Sequence, residues 1–537
     1  MERGFCPFPY SQPLVLDYLR GEERLKPFYG GWPDWGELKK RAERLAGRKT
    51  SGVVVAALGE YNRRLGAGTA TMAAIDRLAQ GAPVVITGQQ AGVCTGPLYT
   101  VYKALTAALL AERLSGELGR PVVPLFWVAA EDHDFGEINH IDLAGSDGRM
   151  VRLRLEMEPG GKYPAASLPC GKEVETLIER LAEVTPPTEF KEGVISLLRE
   201  TAAAADNLAD WFAGIMVRLF AFTGLVVVNP CLPELKEVAR NLFARMLRDP
   251  EEIEKAFVET SAELLALGYP LQVQKKPGVS HFFVYREGQR LALLRDGERY
   301  FLPEEDFALG LEEAAALAEE NPCLFSLDVV LRPVWQDYLF PVIAYVAGPG
   351  EISYYAQLRR VYHLFDQEMP VIYPRLSATL IEPSIAKVLR KFAIGEGELF
   401  SGWEERKEKH LREADRIGID SLFAGLRHKI EAAYGELVDR IAGLSPHLPA
   451  LARENLRRVL DQVDYLEGKV RQEQRQREEV GVRQLEKAAL NLWPRRTPQE
   501  RVFNIFPYLI KYGPDLLTRM APLVEVERRE HHLFYLP

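Results

Sequence analysis

The chain reads as an α/β protein, a doubly wound parallel sheet with inserted connecting segments, followed by a C-terminal antiparallel helical coiled coil. Three observations predict this. Short apolar runs recur along the first two thirds, each closed by a glycine- or proline-bearing turn that leads into a helix. The runs are apolar at consecutive positions, as parallel strands covered on both faces are. Beyond about residue 383 the β pattern stops, and apolar residues keep helical spacing on both sides of a proline break.

Taken in order, residues 36–80 read as helix, with Leu38, Leu45, Val53, Leu58 and Leu65 at helical spacing. Ala82-Pro83-Val84-Val85-Ile86-Thr87 reads as the first strand, followed by the turn GQQAGVCTGPLYT and a helix from Leu98 to Leu114. A second strand covers 121–128, a third 224–230 with a helix from about Leu232, and a fourth 341–347 running into GPGEISYY and another helix. Strands alternating with helices predict a parallel sheet whose ligands sit beyond the carboxyl ends of its strands.

Residues 150–170 and 270–302 have the rhythm of short strands and hairpins, turning at Arg286-Glu287-Gly288-Gln289 and Arg295-Asp296-Gly297-Glu298. They count as insertions in the core, near 150–210 and 260–310. In the C-terminal part, Leu422, Leu426, Ile430, Ala433, Leu437, Ile441 and Leu444 form one helical stripe. After Ser445-Pro446-His447-Leu448-Pro449, a second stripe runs through Ala452, Leu456, Val459, Val463, Leu466 and Val470. Two antiparallel helices and a homodimer are expected. The predicted parts are a core at 1–382, a helical hairpin at 383–493, and a tail at 494–537 packing back on the core.

Composition narrows the function. A chain of 537 residues exceeds what one hydrophobic core supports, and 47% apolar with 27% charged residues is the balance of a folded protein. The net charge of −9 is spread along the chain and supplies no basic face, so nucleic acid is not an expected partner. No run of about 18 apolar residues is present, so no membrane span is expected. MERGFCPFPYSQP lacks the apolar stretch of a signal peptide. Cys6, Cys94, Cys170, Cys231 and Cys323 are scattered and include no CxxC, so neither disulfides nor structural zinc are expected. A cytoplasmic protein is the expectation.

Three turns carry candidate chemistry. Thr87-Gly88-Gln89-Gln90-Ala91-Gly92-Val93-Cys94-Thr95-Gly96-Pro97 places glycines, amides and hydroxyls before a helix N-terminus, where free N–H groups suit phosphate or carboxylate. It is neither a Walker A sequence nor GxGxxG, and a tight turn needing glycine explains it equally well. The second strand ends in Glu131-Asp132-His133-Asp134, with Glu137, Asn139 and His140 close behind. Flanking carboxylates are expected to raise the pKa of His133, as a general base or a cation site would require. A metal held by His133, Asp134 and His140 and a purely structural cluster are the alternatives. In the third turn, Glu351 either stabilises a helix N-terminus or binds a substrate amine, and Arg375 with Ser377 and Thr379 suits a carboxylate. Cys94 reads as a small packing side chain, since no Cys-His spacing supports a nucleophile.

Together, GQQAGVCTGPLYTVYKA, PLFWVAAEDHDFGEINH, YVAGPGEISYYAQL and YPRLSAT, with the closing HHLFYLP, resemble the cysteine-adding enzyme family of bacillithiol biosynthesis, BshC. The resemblance covers essentially the whole chain. It implies a Rossmann-like core, a coiled coil that makes a homodimer, and a ligase joining the carboxyl of L-cysteine to the amine of glucosaminyl-malate. The pocket it implies involves Gln89, Gln90, Gly92, Thr95, Gly96, Tyr99, Asp132, His133, Asp134, Asn139, His140, Gly350, Glu351, Tyr354, Arg375 and Ser377. Cys94 departs from the bulky apolar residue usual there.

Forming an amide from a free carboxylate is uphill in water, so ATP is expected, with His133 taking the amine proton beside Asp132 or Asp134. The implied core is also similar to class I aminoacyl-tRNA synthetases, although HxGH and KMSKS are missing from this sequence. ADP bound near the coiled coil is implied as well, with Trp493, Arg496, Asn504, Tyr508 and Lys511 as candidate contacts; a metal requirement is not implied either way. Two competing expectations are an ATP-dependent adenylating enzyme for another amino or keto acid, and a non-catalytic dimer that recruits a ligase.

Overall fold

The computed structural model describes residues 1–145, 148–274, 278–303, 305–413, 418–477 and 479–537. The central sheet has five strands: β1 (Val84–Gln90), β2 (Val123–Ala129), β3 (Val226–Val228), β4 (Val342–Ala347) and β5 (Val371–Pro374). Their spatial order is β5-β4-β1-β2-β3, and every neighbouring pair is parallel. This is a Rossmann-like order.

The consecutive apolar runs exist because both faces of the sheet are covered. Val84, Ile86, Leu125 and Trp127 pack in one core cluster, whereas Val85, Phe126 and Val128 point to clusters on the opposite face. The period of two in a strand therefore shows as burial on both sides rather than as alternating polarity. Helix α1 (Leu98–Leu118) covers β1 and β2 and ends at Gly119 in the left-handed conformation, φ 62°.

The chain reverses its direction of sheet growth between β1 and β4. The carboxyl ends of these two strands therefore splay their loops apart and leave a crevice. The long β2–β3 connection carries, among the described residues, a hairpin (140–144 with 150–154) and four α-helices (135–138, 172–184, 191–203 and 208–219). The β3–β4 connection carries a five-stranded antiparallel sheet built from 279–286, 289–296, 299–302, 307–310 and 325–327. Both expected turn signals are hairpin turns within it, with Glu287, Gly288 and Gly297 at positive φ.

Three expectations need correction. Residues 36–80 form three helices (35–44, 52–64 and 69–79) instead of one, because Gly47 and Gly66 take left-handed conformations that end the first two. The segment Gly88-Gln89-Gln90 continues β1 and is not a turn; it stays paired with Trp127, Val128 and Ala129. β structure also returns after residue 383: His531–Tyr535 is a strand between Glu2–Cys6 and Ala378–Ile381.

Contacts divide the chain into two compact units, residues 1–383 with 497–537, and residues 384–496. In the second unit, α2 (Ile419–Ile441) and α3 (Leu448–Arg477) pair antiparallel. Arg427 meets Asp464 at 2.8 Å and Glu467, Arg471 meets Asp420, and Tyr434 donates to Asn455 at 2.5 Å. The buried seam is Ile419, Phe423 and Val463, with Ile430 and Val470 packed against it. The expected stripe is only partly buried. Leu422, Leu426, Leu437, Leu444 and Leu466 remain exposed, because a two-helix hairpin buries one narrow face of each helix.

Candidate active site

A polar cavity of about 650 Å³ opens at the carboxyl ends of β1, β2 and β4, in the crevice set by the sheet order. Its walls are the end of β1, the Glu131-Asp132-His133 segment after β2, and the Gly348-Pro349-Gly350-Glu351 turn after β4. The inserted antiparallel sheet adds Phe283 and Arg290.

β1 delivers Gln89 and Gln90 because the strand can run unusually close to β2. Gly88 lies opposite Trp127, and a Cβ there would come within 2.8 Å of the Trp127 carbonyl oxygen. The Lys103 ammonium lies beneath, 3% exposed, and donates to the Gly88 carbonyl at 2.8 Å and to Gln89 Oε1 at 3.0 Å. It also pairs with Glu351 Oε2 at 2.5 Å. Burial lowers its pKa, and Glu351 works against that shift. Gln89 Nε2 donates to Gln90 Oε1 at 3.2 Å and to the Tyr99 hydroxyl at 3.3 Å. Gln90 Nε2 in turn donates to Asp132 Oδ2 at 2.9 Å and to Glu137.

His133 has a different environment from the one expected. Its Nδ1 lies 3.3 Å from Arg290 Nη1, and neither flanking aspartate bonds its ring. Arg290 is itself pinned by Ser326 at 2.8 Å and the Leu327 carbonyl at 2.9 Å, and its guanidinium stacks 3.6 Å from the Phe283 ring centroid. The expectation of a raised His133 pKa is therefore corrected. Burial, and next the Arg290 charge, hold the imidazole below its ordinary value, outweighing Asp132 and Asp134. A guanidinium is donor-only, so Nδ1 must accept, and the neutral ring carries its proton on Nε2.

Glu351 is the third residue of the helix 349–355 and accepts from the Gly348 N–H at 2.7 Å and the Tyr345 hydroxyl at 2.7 Å. Of its two expected roles, the helix-stabilising one accounts for these contacts. Tyr354 accepts from Arg332 Nη2 at 3.0 Å. Glu131 is buried beside Lys236 at 2.7 Å and Tyr285 at 3.1 Å.

The structure thus brings Gln89, Gln90, Tyr99, Asp132, His133, Gly350, Glu351, Tyr354 and Arg375 to one cavity. The other expected residues lie elsewhere. Gly92, Thr95 and Gly96 form a buried turn in which Cys94, Thr95 and Gly96 all have positive φ. The helix N-terminus beyond this turn is not open to an anion: Leu98 N donates to the Phe503 carbonyl at 2.8 Å, and Asn504 Nδ2 donates to the Cys94 and Gly96 carbonyls. Burial pushes the Cys94 thiol well up, against a nucleophilic role. Asp134 caps the short helix 135–138, and Asn139 pairs with His140 at 3.1 Å. His133, Asp134 and His140 thus have separate partners, and no metal-holding group of three or more His, Cys, Asp or Glu occurs among the described residues.

Arg375 has mostly been spent on the fold. It pairs with fully buried Glu500 at 2.7 Å, and Glu500 also receives Ser377 Oγ at 3.1 Å and Ala378 N at 2.7 Å. Ser377 and Thr379 then hold His531 at 2.7 and 2.8 Å. Among the candidate nucleotide contacts, Asn504 and Tyr508 are buried and Lys511 pairs with Glu382 at 2.8 Å. In the second unit Trp493 packs on Phe400, with ring centroids 5.2 Å apart, and Arg496 is exposed.

Sequence reading missed Lys103, Arg290, Arg332 and Arg501, all of which line the cavity. Lys103 did leave a signal, as a lone cation in the apolar helix segment LYTVYKALTAALLA, one helical turn after Tyr99. Arg332 and Arg501 have no carboxylate within ion-pair distance among the described residues, unlike Arg375.

The parallel strand order and the polar crevice at its switch point define a Rossmann-like α/β protein carrying a helical coiled-coil unit. Two family models match in sequence: the N-terminal Rossmann-like domain of bacillithiol biosynthesis BshC over residues 1–376, and its C-terminal coiled-coil domain over 378–536. Relatives named "Putative cysteine ligase BshC" align end to end. The one from Desulforamulus reducens is 39% identical over 98% of both chains, and that from Symbiobacterium thermophilum is 38% identical over 97% of both. A third, from Geobacillus thermodenitrificans, is 32% identical over the full length of both chains. The chain belongs to the BshC family.

Proposed function

We propose that this enzyme joins the carboxyl of L-cysteine to the amine of glucosaminyl-malate, completing bacillithiol. The observation that carries the reading is the cavity itself, where Arg332 and Arg501 line a polar space and neither has a carboxylate within ion-pair distance among the described residues, although the charge of Glu351 reaches Arg332. Both proposed substrates bring carboxylates, which a guanidinium binds through paired, charge-assisted hydrogen bonds. These two arginines take the role that sequence reading gave to Arg375.

ATP is the proposed co-substrate, supplying a leaving group on the cysteine carboxyl so that amide formation runs downhill. Its phosphates are anions that the same arginines fit. The protein's own part is derived from its residues. Asp132, held by Gln90, accepts the proton lost by the attacking amine. His133, neutral with its proton on Nε2, donates to oxygen as negative charge develops there. This replaces the base role expected of His133.

A homodimer formed through the exposed leucines of α2 and α3 belongs to the same proposal, since such a stripe is costly to leave in water. No helix among the described residues is long and apolar enough to cross a membrane. All five cysteines are free thiols, which suits a reducing cytoplasm.

The test in cells is the low-molecular-weight thiol profile after deletion of the gene. Loss of bacillithiol with accumulation of glucosaminyl-malate supports the proposal. Unchanged bacillithiol, in cells with no second copy, contradicts it.

A further inference from the structure

The geometry points to Lys103 as a positioning residue: it sets the polarity of a hydrogen-bond relay, Lys103–Gln89–Gln90–Asp132, that orients the carboxylate at the reacting centre. This rests on the proposed cysteine-adding reaction for its catalytic consequence, though not for its existence.

A carboxamide can turn either edge toward a neighbour, so a pair of adjacent glutamines has no inherent direction. Here both ends of the pair are fixed. Lys103 Nζ has only protons to offer, so Gln89 must present Oε1 to it, at 3.0 Å. Gln89 Nε2 then faces outward and donates to Gln90 Oε1 at 3.2 Å, which leaves Gln90 Nε2 for Asp132 and Glu137. The carboxylates at the far end only accept, and they demand the same direction. Reversing either amide places oxygen against oxygen at one end.

Lys103 is well placed to hold its end. Its three donors are consumed by the Gly88 carbonyl, Gln89 and Glu351, and it is almost fully buried. The same ammonium thereby ties the end of β1 to the turn after β4, across the switch point of the sheet. Glu351 keeps the Gly348 N–H and the Tyr345 hydroxyl in any case, so the part of the contact specific to Lys103 is its grip on β1.

Two variants separate orientation from stability. Lys103→Met keeps the length of the side chain and removes all three donors. Gln89→Glu keeps an acceptor for Lys103 and removes the donor to Gln90. Both are expected to lower kcat about 100-fold, with KM for each substrate within about threefold of wild type, as misorientation without lost binding would. The double variant is expected to lose no more than the worse single one, since the two act as a unit.

The relay also has a readout independent of turnover. In protein labelled with nitrogen-15 at glutamine side-chain amides, Gln89 and Gln90 resonances are assigned by Gln→Glu replacement. Lys103→Met is expected to move both. Movement of Gln89 alone, or full kcat in folded Gln89→Glu, overturns the relay. Inactivity of the wild type with cysteine, glucosaminyl-malate and ATP overturns the functional reading instead, and leaves the amide resonances to decide the relay.

Discussion

Arg290 and His133 meet at 3.3 Å, guanidinium nitrogen to imidazole Nδ1, at the mouth of β2. The contact defines which nitrogen carries the proton and keeps the ring neutral. Burial and the Arg290 charge both depress the His133 pKa, so the neutral form persists below the ordinary histidine range. Arg290→Met, which keeps most of the packing on Phe283, should let that pKa rise. The acid limb of the pH–rate profile should then move to higher pH, and histidine NMR titration should show the same shift. A profile unchanged in Arg290→Met would separate His133 from the limb.

Arg332 and Arg375 should fail differently. Arg332 lines the cavity with no carboxylate partner among the described residues, and losing one charge-assisted contact costs roughly 1.5–3 kcal/mol. Arg332→Met should therefore raise KM or Kd for a carboxylate substrate by about 10- to 100-fold, with thermal stability little changed. Arg375→Met strands buried Glu500, which costs about 3–5 kcal/mol of stability. Isothermal titration and denaturant unfolding of both variants distinguish the two roles.

Acid should loosen the C-terminal strand. Burial lowers the pKa of His531 and of His532 from 6.5 to about 4 in the folded chain. The unfolded chain therefore binds more protons between these two values, and stability falls as pH drops from 6.5 to about 4. Below that window both states are protonated and no further loss comes from these groups. Each histidine contributes about 3 kcal/mol across the window. Denaturant unfolding of wild type against His531→Gln, at a series of pH values, checks the slope.

The coiled-coil unit should pair through its uncovered stripe. Leu437 is 45% exposed and Leu466 53% exposed. Replacing both with Glu should convert a dimer to a monomer in light scattering while leaving the helical content intact. A monomeric wild type would contradict the proposal.

Much of this architecture was legible from the chain because a parallel sheet writes its strands as unbroken apolar runs. The four strands read from sequence are β1 to β4, and the fifth, Val371–Pro374, was hidden in four residues ending at a proline. His531–Tyr535 escaped for another reason: its two histidines are buried polar residues, His531 held by Ser377 and Thr379 and His532 accepting the Glu525 N–H through Nε2, so they read as tail. Helical periodicity also could not show that Gly47 and Gly66 take left-handed conformations.

The candidate site was half legible. Gln89, Gln90, Asp132 and His133 stand at strand ends, where topology alone predicts a ligand. Arg290 and Arg332 come from an insertion and from a helix more than 150 residues downstream of Asp132, so only the fold brings them there. Conversely, Arg375 and Ser377 looked like a carboxylate site because Glu500, their buried partner, lies more than 120 residues away in the chain.

The proposed reaction is tested by mass spectrometry of purified protein incubated with L-cysteine, glucosaminyl-malate and ATP. Bacillithiol is expected to form in step with ATP consumption, and to be lost in Asp132→Asn. No bacillithiol from folded protein with all three present would contradict it.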